Sequence, residues 1–364
     1  MKRFAHGGDV FRVARELGLP PSAILDFSAS INPLGMPPGV RQAALAALEQ
    51  SVHYPELDAS SLTAALADHL GLPAVNILPG SGSTELLYHS ARVLRPHRVL
   101  LVTPAFSEYE RALQLSGSRV DFFALTPEDG FRLDAERLLR RLTPETDLIL
   151  LANPGNPTAA GIEPAAIEYI ARAVREQAVV AVDEAFVDFC PHLSVLDRVT
   201  LHANLYVFRS LTKFYAIPGL RAGYLAGPSR GIGLLADCRP PWPFSTVAQA
   251  AAEACLREDA YRQQTLQMIP ILRRQLAGGL STLGLTVFPS VANYLLARLE
   301  TAGQTAGDVA AALRGRGILI RDCANFPPLD ARYFRVAVRT AEENEMLLSA
   351  LREVLVPAAG KGRQ

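Results

Sequence analysis

The sequence has few cysteines and no net charge. Its four cysteines are scattered over 364 residues without a Cys-x-x-Cys pair. This spacing predicts neither a disulfide framework nor a zinc or other metal site, and it fits a reducing compartment. The 36 basic and 36 acidic side chains cancel, so the chain lacks the electrostatic footprint of a protein that binds nucleic acid or an anionic membrane.

Long apolar segments are also missing. The apolar runs are strand-sized or carry charges, so no membrane-spanning helix is predicted. Near the N-terminus, Arg12, Arg15 and Glu16 interrupt any hydrophobic core of a signal peptide. These absences predict a cytoplasmic globular protein. The 49% hydrophobic composition over this length provides for a large core and two domains.

Short apolar runs alternate with helical patterns through the middle of the chain, and each run is followed by polar, Gly-rich or Pro-rich residues. This alternation predicts an α/β fold whose mostly parallel sheet is covered by helices on both faces. Ligands of such sheets bind beyond the carboxyl ends of the strands, so the polar segments predict an active site there. The predicted strands are 99–102, 148–151, 179–182, 205–208 and 222–225.

The pattern changes after residue 243. A long helical stretch at about 246–280 comes first, and a capping-box sequence at Thr340 and Glu343 predicts the last helix. Strand patterns between them lie near 285–288, 294–297, 318–320 and 333–338. The predicted divisions are an N-terminal segment at 1–44 that packs with the small domain, a large α/β domain at 45–243 and a smaller α+β domain at 244–364.

Lys213 is the strongest candidate for a catalytic residue. It follows the run at 205–208 and lies near Ser210 and Thr212, with Arg221 eight positions later. A lysine that forms a Schiff base needs surroundings that favour its neutral amine, and an anion site for a cofactor phosphate nearby. Arg221 and Ser210 offer hydrogen-bond donors for such an anion. The alternative is an ordinary solvated lysine.

Asp183 ends the apolar run at 179–182, where a carboxylate is costly to bury unless it is paired. The cofactor pyridoxal phosphate (PLP) needs an acid of this kind. A carboxylate beside its pyridine nitrogen keeps that nitrogen protonated, which makes the ring an electron sink. An N-cap or a core ion pair is the alternative interpretation.

Three further segments fit the same cofactor. Residues 80–84 precede a helix, and free N–H groups at a helix start attract phosphate, although neither a P-loop nor a dinucleotide motif is present. Asn156 offers an amide to a ring oxygen, with a simple turn as the alternative. Phe106 offers a flat surface for stacking, with a core position as the alternative.

Arg321 and Arg335 each follow an apolar or aromatic run, and buried arginines need anionic partners. Two of them match a substrate with two anionic ends, and internal salt bridges are the alternative. His6 and Gly7 form a short segment compatible with an anion-binding turn, although a lone histidine is more often structural.

These residues, in this order, resemble the fold-type-I PLP family, which includes the class I/II aminotransferases. The motifs are Tyr54-Pro, GSGST, TPAF, NPGNP, DEAF, SLTK and PGLRAGY. Within that family the chain is similar to the histidinol-phosphate aminotransferases. More narrowly, and over nearly its whole length, it resembles the L-threonine-O-3-phosphate decarboxylases of cobalamin synthesis. The segments that carry this narrower resemblance are 6–10, 27–37, 214–225, 292–296 and 318–339.

The resemblance implies a role for each candidate. Lys213 is expected to form the Schiff base with PLP, and Asp183 to pair with the pyridine nitrogen. A homodimer is implied, because Tyr54 is expected to reach the cofactor phosphate of the partner subunit. The residues expected to bind the cofactor are Ser81, Gly82, Ser83, Phe106, Asn156, Asp183, Ser210, Lys213, Arg221 and Tyr54. Those expected to bind a phosphorylated amino acid are His6, Gly7, Ser30, Asn156, Arg321 and Arg335.

Three positions depart from the family pattern. Phe186 stands where the aminotransferases usually have tyrosine, which favours the decarboxylases. Ser30 replaces an expected asparagine, and a water can bridge the shorter side chain. The turn after Thr158 is longer. The resemblance implies decarboxylation of L-threonine O-3-phosphate to (R)-1-aminopropan-2-ol O-phosphate. Histidinol-phosphate amino transfer to 2-oxoglutarate is the alternative, and a PLP-fold protein without turnover is a third.

Overall fold

The protein is described by a computed structural model that covers residues 6–301 and 303–355. This part of the chain contains thirteen α-helices and thirteen β-strands. The helices are α1 (Val10–Leu17), α2 (Pro38–Leu48), α3 (Ser60–Leu70), α4 (Ser83–Leu94), α5 (Ser107–Leu115), α6 (Ala135–Leu139), α7 (Pro164–Ala173), α8 (Leu211–Phe214), α9 (Ser229–Asp237), α10 (Thr246–Cys255), α11 (Asp259–Thr282), α12 (Ala306–Arg314) and α13 (Ala341–Leu355). The strands are β1 (Leu25–Asp26), β2 (Ile77–Gly80), β3 (Arg98–Thr103), β4 (Arg119–Ala124), β5 (Thr146–Ala152), β6 (Val179–Asp183), β7 (Leu205–Ser210), β8 (Gly223–Ala226), β9 (Thr286–Val287), β10 (Tyr294–Arg298), β11 (Ile318–Leu319), β12 (Arg321–Asp322) and β13 (Tyr333–Ala337).

Seven strands form the central sheet, in the order β2-β8-β7-β6-β5-β3-β4. The strands from β7 to β4 are parallel to one another, whereas β8 runs antiparallel to both of its neighbours. The five predicted strands reappear as β3, β5, β6, β7 and β8, with ends shifted by at most two residues. The predicted α/β fold with a mostly parallel sheet is therefore confirmed. Among the described residues, no helix is both long and apolar enough to cross a membrane.

The central strands alternate their side chains between two hydrophobic layers. In β5, Ile149 and Leu151 belong to the layer formed with α3, α7 and α10, whereas Leu148 and Leu150 belong to the layer formed with α4, α5 and α9. A strand that is buried on both faces needs apolar side chains at every position, which explains the continuous apolar runs of the sequence. The polar residues that follow each strand lie beyond both layers, where the parallel strands end.

A second, antiparallel sheet in the C-terminal part of the chain has the order β12-β13-β10-β9. The short strand β1 pairs in parallel with β11, which connects the N-terminal segment to this region. The division into an N-terminal segment, a large domain and a small domain remains our proposal. Its ends, at residues 1–5 and 356–364, lie outside the described part of the chain.

Two local predictions are wrong. The helix expected at 246–280 is two helices, α10 and α11, because Glu258 between them leaves the helical conformation, with φ −89° and ψ 54°. The strand expected at 318–320 is only its first two residues, β11, which pairs with β1. The chain then changes partner, because β12 joins the four-stranded sheet. The predicted capping box is confirmed, since Thr340 and Glu343 exchange side-chain-to-backbone hydrogen bonds, both of 3.2 Å.

Helix α9 contains two glycines in opposite packing environments. A Cβ atom at Gly231 would lie 1.7 Å from the hydroxyl oxygen of Tyr206, whereas a Cβ atom at Gly233 would meet nothing within 4 Å. We expect Gly231→Ala to lower the free energy of unfolding by about 1–3 kcal/mol through overpacking. Gly233→Ala should raise it by about 0.5–1 kcal/mol, because alanine favours the helix. Thermal unfolding of both variants checks this, and a stabilised Gly231→Ala protein would contradict the close approach.

Candidate active site

A cavity of about 230 Å³ lies at the carboxyl edge of the central sheet. Ala152 ends β5, Asp183 ends β6 and Lys213 follows β7, and all three reach the cavity. They meet because the ends of neighbouring parallel strands lie at the same edge. The other residues that line the cavity are His6, Gly7, Ser28, Ala29, Ser30, Ile31, Ser83, Thr84, Phe106, Tyr109, Pro154, Asn156, Ala185, Phe186, Arg321, Phe326 and Arg335.

The amine of Lys213 is buried in the floor of this cavity. Nζ donates to Thr212 Oγ1 at 2.8 Å, and Thr212 Oγ1 lies 2.8 Å from Ser210 Oγ. Burial is the main cause that lowers the pKa of Lys213 to about 8, and the positive charges of Arg221 and Arg335 lower it further, while Asp183 opposes them. The lysine is therefore neutral at a much lower pH than a solvated lysine, as nucleophilic attack by its amine requires.

Asp183 is a buried carboxylate held by two hydrogen bonds. Oδ2 accepts from the hydroxyl of Tyr109 at 2.5 Å, and Oδ1 accepts from the backbone N–H of Ala185 at 2.9 Å. Burial raises the pKa of Asp183, while these two hydrogen bonds and the charge of Lys213 pull it down. A cationic group beside this carboxylate would favour its ionised form.

The start of α4 offers an anion site at one end of the cavity. Gly82 has a φ of +88°, and a Cβ atom there would lie 2.6 Å from Nη2 of Arg221, so only glycine leaves room for the guanidinium. The helix has no side-chain cap, and its first residue, Ser83, lines the cavity. Ser81 donates its hydroxyl to the carbonyl of Pro243 at 2.6 Å. Backbone N–H groups and a guanidinium together suit a phosphate.

Two phenylalanines contribute flat apolar walls. The ring of Phe106 lies 5.7 Å from the ring of His6 on one side and 5.7 Å from that of Tyr109 on another. The ring of Phe186 lies 4.9 Å from that of Tyr294, edge to face, and 5.9 Å from Nζ of Lys213. Phe186 has no hydroxyl, so it adds no hydrogen bond at this position.

Arg321 and Arg335 are both buried, and their hydrogen bonds go to neutral groups. Arg335 donates to Asn156 Oδ1 at 2.5 Å and to the carbonyl of Ser28 at 2.8 Å. Arg321 donates to Asn325 Oδ1 at 2.8 Å and to the carbonyl of its neighbour Asp322. Within residues 6–301 and 303–355, neither arginine forms a salt bridge. Buried cations need compensation, so the pair is suited to an anionic ligand.

Two buried polar atoms of the cavity lack a hydrogen-bond partner among the described residues. In the described part of the chain, Ser30 Oγ and Arg335 Nε are buried without a hydrogen-bond partner. The carbonyl of Ser30 accepts from Nδ2 of Asn293 at 3.0 Å, which fixes this segment against the second sheet. Unsatisfied buried groups in a cavity favour a polar ligand, because a ligand or its bridging water completes their hydrogen bonds.

Five predicted site residues do not line the cavity: Ser81, Gly82, Ser210, Arg221 and Tyr54. The side chain of Tyr54 is 81% exposed and stacks on Trp242, with ring centroids 4.8 Å apart. Ser210 is buried and bonds Thr212 beside Lys213, whereas Arg221 is exposed and approaches Gly82 at the start of α4. The other predicted residues line the cavity.

Sequence reasoning missed Tyr109, Thr212 and Ser28, although each bonds a predicted residue. Tyr109 is three positions after Phe106, which places both on one face of the first turn of a helix. That spacing is the signal that would have identified it. Thr212 is adjacent to Lys213 in the sequence. Ser28 contacts Arg335 through its backbone carbonyl. Every residue has such a carbonyl, so the sequence gives no sign of this contact.

Comparison with known proteins agrees with this geometry. A family model, Aminotransferase class I and II, matches residues 22–351. The chain belongs to this family. It is 41% identical to the threonine-phosphate decarboxylase of Salmonella typhimurium over 98% of each chain. It is 32% identical to histidinol-phosphate aminotransferase 1 of Cupriavidus pinatubonensis, over 96% of this chain and 93% of the other. The crystal structure of the histidinol-phosphate aminotransferase from Clostridium acetobutylicum superposes with a TM-score of 0.85 at 27% identity, covering 91% of this chain and 99% of the other.

The predicted family is thus confirmed, and with it the dependence on PLP. The chemical groups of the cavity residues and their positions both suit this cofactor. A buried amine of low pKa lies near a buried acid on the neighbouring strand. A guanidinium lies beside the start of α4, and an aromatic ring forms one wall. These are the groups that a Schiff base, a pyridinium nitrogen, a phosphate and a flat ring each require.

The lowered pKa of Lys213 predicts how the apoprotein reacts with an aldehyde. Only the neutral amine attacks, so the rate should rise with pH and reach half of its maximum near pH 8, whereas an unshifted lysine would do so near pH 10.5. Borohydride trapping with pyridoxal, which lacks the phosphate, followed by peptide mass spectrometry measures modification at Lys213. Arg221→Met should move the profile to higher pH, because it removes a neighbouring positive charge. A wild-type half-maximum above pH 10 would contradict the assignment.

Proposed function

We propose that the protein is a PLP-dependent carboxy-lyase. It converts L-threonine O-3-phosphate into CO₂ and (R)-1-aminopropan-2-ol O-phosphate. The aminopropanol phosphate is the linker that cobalamin assembly needs. The observation that carries this proposal is the pair of buried guanidinium groups, Arg321 and Arg335, without a carboxylate partner in the described residues. Threonine phosphate has two anionic groups to pair with them, whereas histidinol phosphate has one. The higher identity to the threonine-phosphate decarboxylase also supports it.

The residues divide between the cofactor and the substrate. The proposed cofactor-binding residues are Ser81, Gly82, Ser83, Phe106, Asn156, Asp183, Ser210, Lys213 and Arg221, with Tyr54 of the partner subunit. The proposed substrate-binding residues are His6, Gly7, Ser30, Asn156, Arg321 and Arg335. Lys213 and Asp183 are the proposed catalytic residues.

The proposed mechanism assigns each group a physical task. When bound, PLP supplies an electron sink for the charge that develops at the substrate Cα. Asp183 would keep the pyridine nitrogen of the cofactor protonated, and Lys213 would hold the cofactor and carry a proton within the cavity. Arg321 and Arg335 would bind the two anionic ends of the substrate and so orient its carboxylate for loss as CO₂.

Histidinol-phosphate aminotransferase is the second candidate function. The similarity to the Cupriavidus pinatubonensis enzyme supports it, and 2-oxoglutarate, with two carboxylates, would also match two arginines. The same residues serve both reactions. The difference is a rotation at Cα, which the placement of the anionic groups sets within about 10–20°.

We also propose a homodimer in which Tyr54 completes the partner's phosphate site. Tyr54 does not line the cavity of its own subunit. It stacks on the exposed Trp242, whose backbone N–H donates to the carbonyl of Leu57. Further exposed apolar side chains in this part of the chain are Leu45, Leu48, Val52 and Leu57. Clustered exposed apolar side chains mark interfaces. A monomeric mass in sedimentation experiments on the PLP-loaded protein would refute the dimer. The cytoplasmic location stays a prediction.

The decisive experiment is incubation of the PLP-loaded protein with L-threonine O-3-phosphate in the absence of a keto acid. We expect CO₂ release together with aminopropanol phosphate, and neither product from Lys213→Ala. Amino transfer from histidinol phosphate to 2-oxoglutarate, without CO₂ release from threonine phosphate, would move the protein to the aminotransferase branch.

Arg335→Ala should impair substrate use and spare the cofactor. Loss of a charge-assisted pair costs about 1.5–3 kcal/mol, so kcat/KM should fall roughly 10–100-fold while the visible absorbance of bound PLP persists. Arg332→Ala is the matched control, because Arg332 is exposed and paired with Asp330 at 2.7 Å, and its kinetics should match the wild type. Loss of PLP from Arg335→Ala would show that Arg335 belongs to the cofactor site instead.

A further inference from the structure

Glu108 is a buried carboxylate beside the active site that the proposed chemistry does not use. Its side chain is only 8% exposed. It lies in the first turn of α5, between Phe106 and Tyr109, which both line the cavity, but Glu108 itself does not line it. A buried charge is costly unless it is paired, so its partners indicate what it does.

The two carboxylate oxygens of Glu108 have different partners. Oε2 accepts from the hydroxyl of Tyr88 on α4 and lies 3.6 Å from Nη1 of Arg111. Oε1 lies 3.0 Å from Nε2 of His6, at ion-pair distance, and accepts no hydrogen bond from a described residue. Tyr88 and Arg111 therefore fix the carboxylate on two helices that pack on the central sheet, and His6 is the cavity residue that lies against it.

His6 belongs to a segment that covers the cavity. The imidazole lines the cavity and lies 5.7 Å from the ring of Phe106. A Cβ atom at Gly7 would lie 2.2 Å from the carbonyl oxygen of Ser28, so the two backbones touch. The N–H of Gly8 donates to Ser28 Oγ at 2.8 Å. Because Nε2 faces the carboxylate, Nδ1 is the ring nitrogen left for a ligand.

We propose that Glu108 is a positioning residue that holds His6 over the cavity and so raises the affinity for an anionic substrate. This role rests on the proposed function, in which His6 binds the substrate. The carboxylate lies 3.0 Å from Nε2 and so leaves Nδ1 as the ring nitrogen that contacts the anionic substrate. Glu108 touches neither substrate nor cofactor.

The first test needs no turnover. In the PLP-loaded protein, we expect the peptide that covers residues 6–9 to exchange its amide hydrogens about tenfold faster in Glu108→Gln than in the wild type, because the segment opens more often. Glu110→Gln is the matched control. Glu110 lies on the same helix and accepts from Gln114 at 2.7 Å, and its loss should leave residues 6–9 protected. Equal protection in Glu108→Gln overturns the proposal.

If Glu108→Gln does not fold, Glu108→Asp takes its place in the same measurement. It keeps the charge and shortens the side chain by one methylene, which withdraws the carboxylate from His6. Faster exchange at residues 6–9 supports the proposal, and unchanged exchange overturns it.

The second test is a double-mutant cycle with L-threonine O-3-phosphate. We expect Glu108→Gln to raise KM about tenfold with kcat changed by less than about twofold, and to add nothing in a His6→Ala background. Full additivity, or a lower kcat with unchanged KM, overturns the positioning role. If the wild type releases no CO₂ but Glu108→Gln still exchanges faster, the proposed substrate is refuted and the positioning role of Glu108 stands.

Discussion

The active site depends on the burial of two opposite charges at the ends of neighbouring strands. Asp183 ends β6 and Lys213 follows β7, and these strands pair in parallel. Burial raises the pKa of the acid and lowers that of the amine, so each group is biased toward its neutral form. The hydroxyl of Tyr109 and a backbone N–H counteract this bias for the acid. In the proposed function, the pyridine nitrogen of PLP would give Asp183 a cationic partner, so a group that is unfavourable in the apoprotein would stabilise the bound cofactor.

The chain uses buried arginine in two opposite ways. Arg209 pairs with Glu184 at 3.1 Å and also with Asp188, and the backbone N–H of Val195 donates to Glu184. The charge of Arg209 is therefore balanced by carboxylates of the protein itself, although its Nε has no hydrogen-bond partner among the described residues. Arg321 and Arg335 have only amide and carbonyl oxygens. The same side chain therefore stabilises the fold where a carboxylate accompanies it, and we propose that it recognises a ligand where none does.

Sequence patterns predicted the strands of the central sheet because strands buried on both faces are apolar throughout and end at polar residues. Lys213 and Asp183 were predicted for the same reason, since Asp183 directly follows such a run and Lys213 stands five positions after one (213 − 208). Tyr109 and Glu108 were not found. Their partners lie 74 and 102 positions away, at Asp183 and His6 (183 − 109 and 108 − 6), and one turn of an amphipathic helix carries no mark of such contacts. The change of partner at Arg321 was missed because β11 and β12 join two different sheets within one apolar run.

The strand β1 is synthesised long before its partner β11, because Leu25 pairs with Ile318. Arg335 binds the carbonyl of Ser28 across 307 positions, and the N–H of Asn32 binds the carbonyl of Lys213. Because the ribosome releases a chain from its N-terminus, all seven strands of the central sheet emerge before Arg321 and Arg335 exist. One wall of the cavity is therefore absent throughout the synthesis of the large sheet. The proposed substrate-binding residues Arg321 and Arg335 are therefore synthesised only after the strands of the central sheet, so the core can begin to fold before the site is complete.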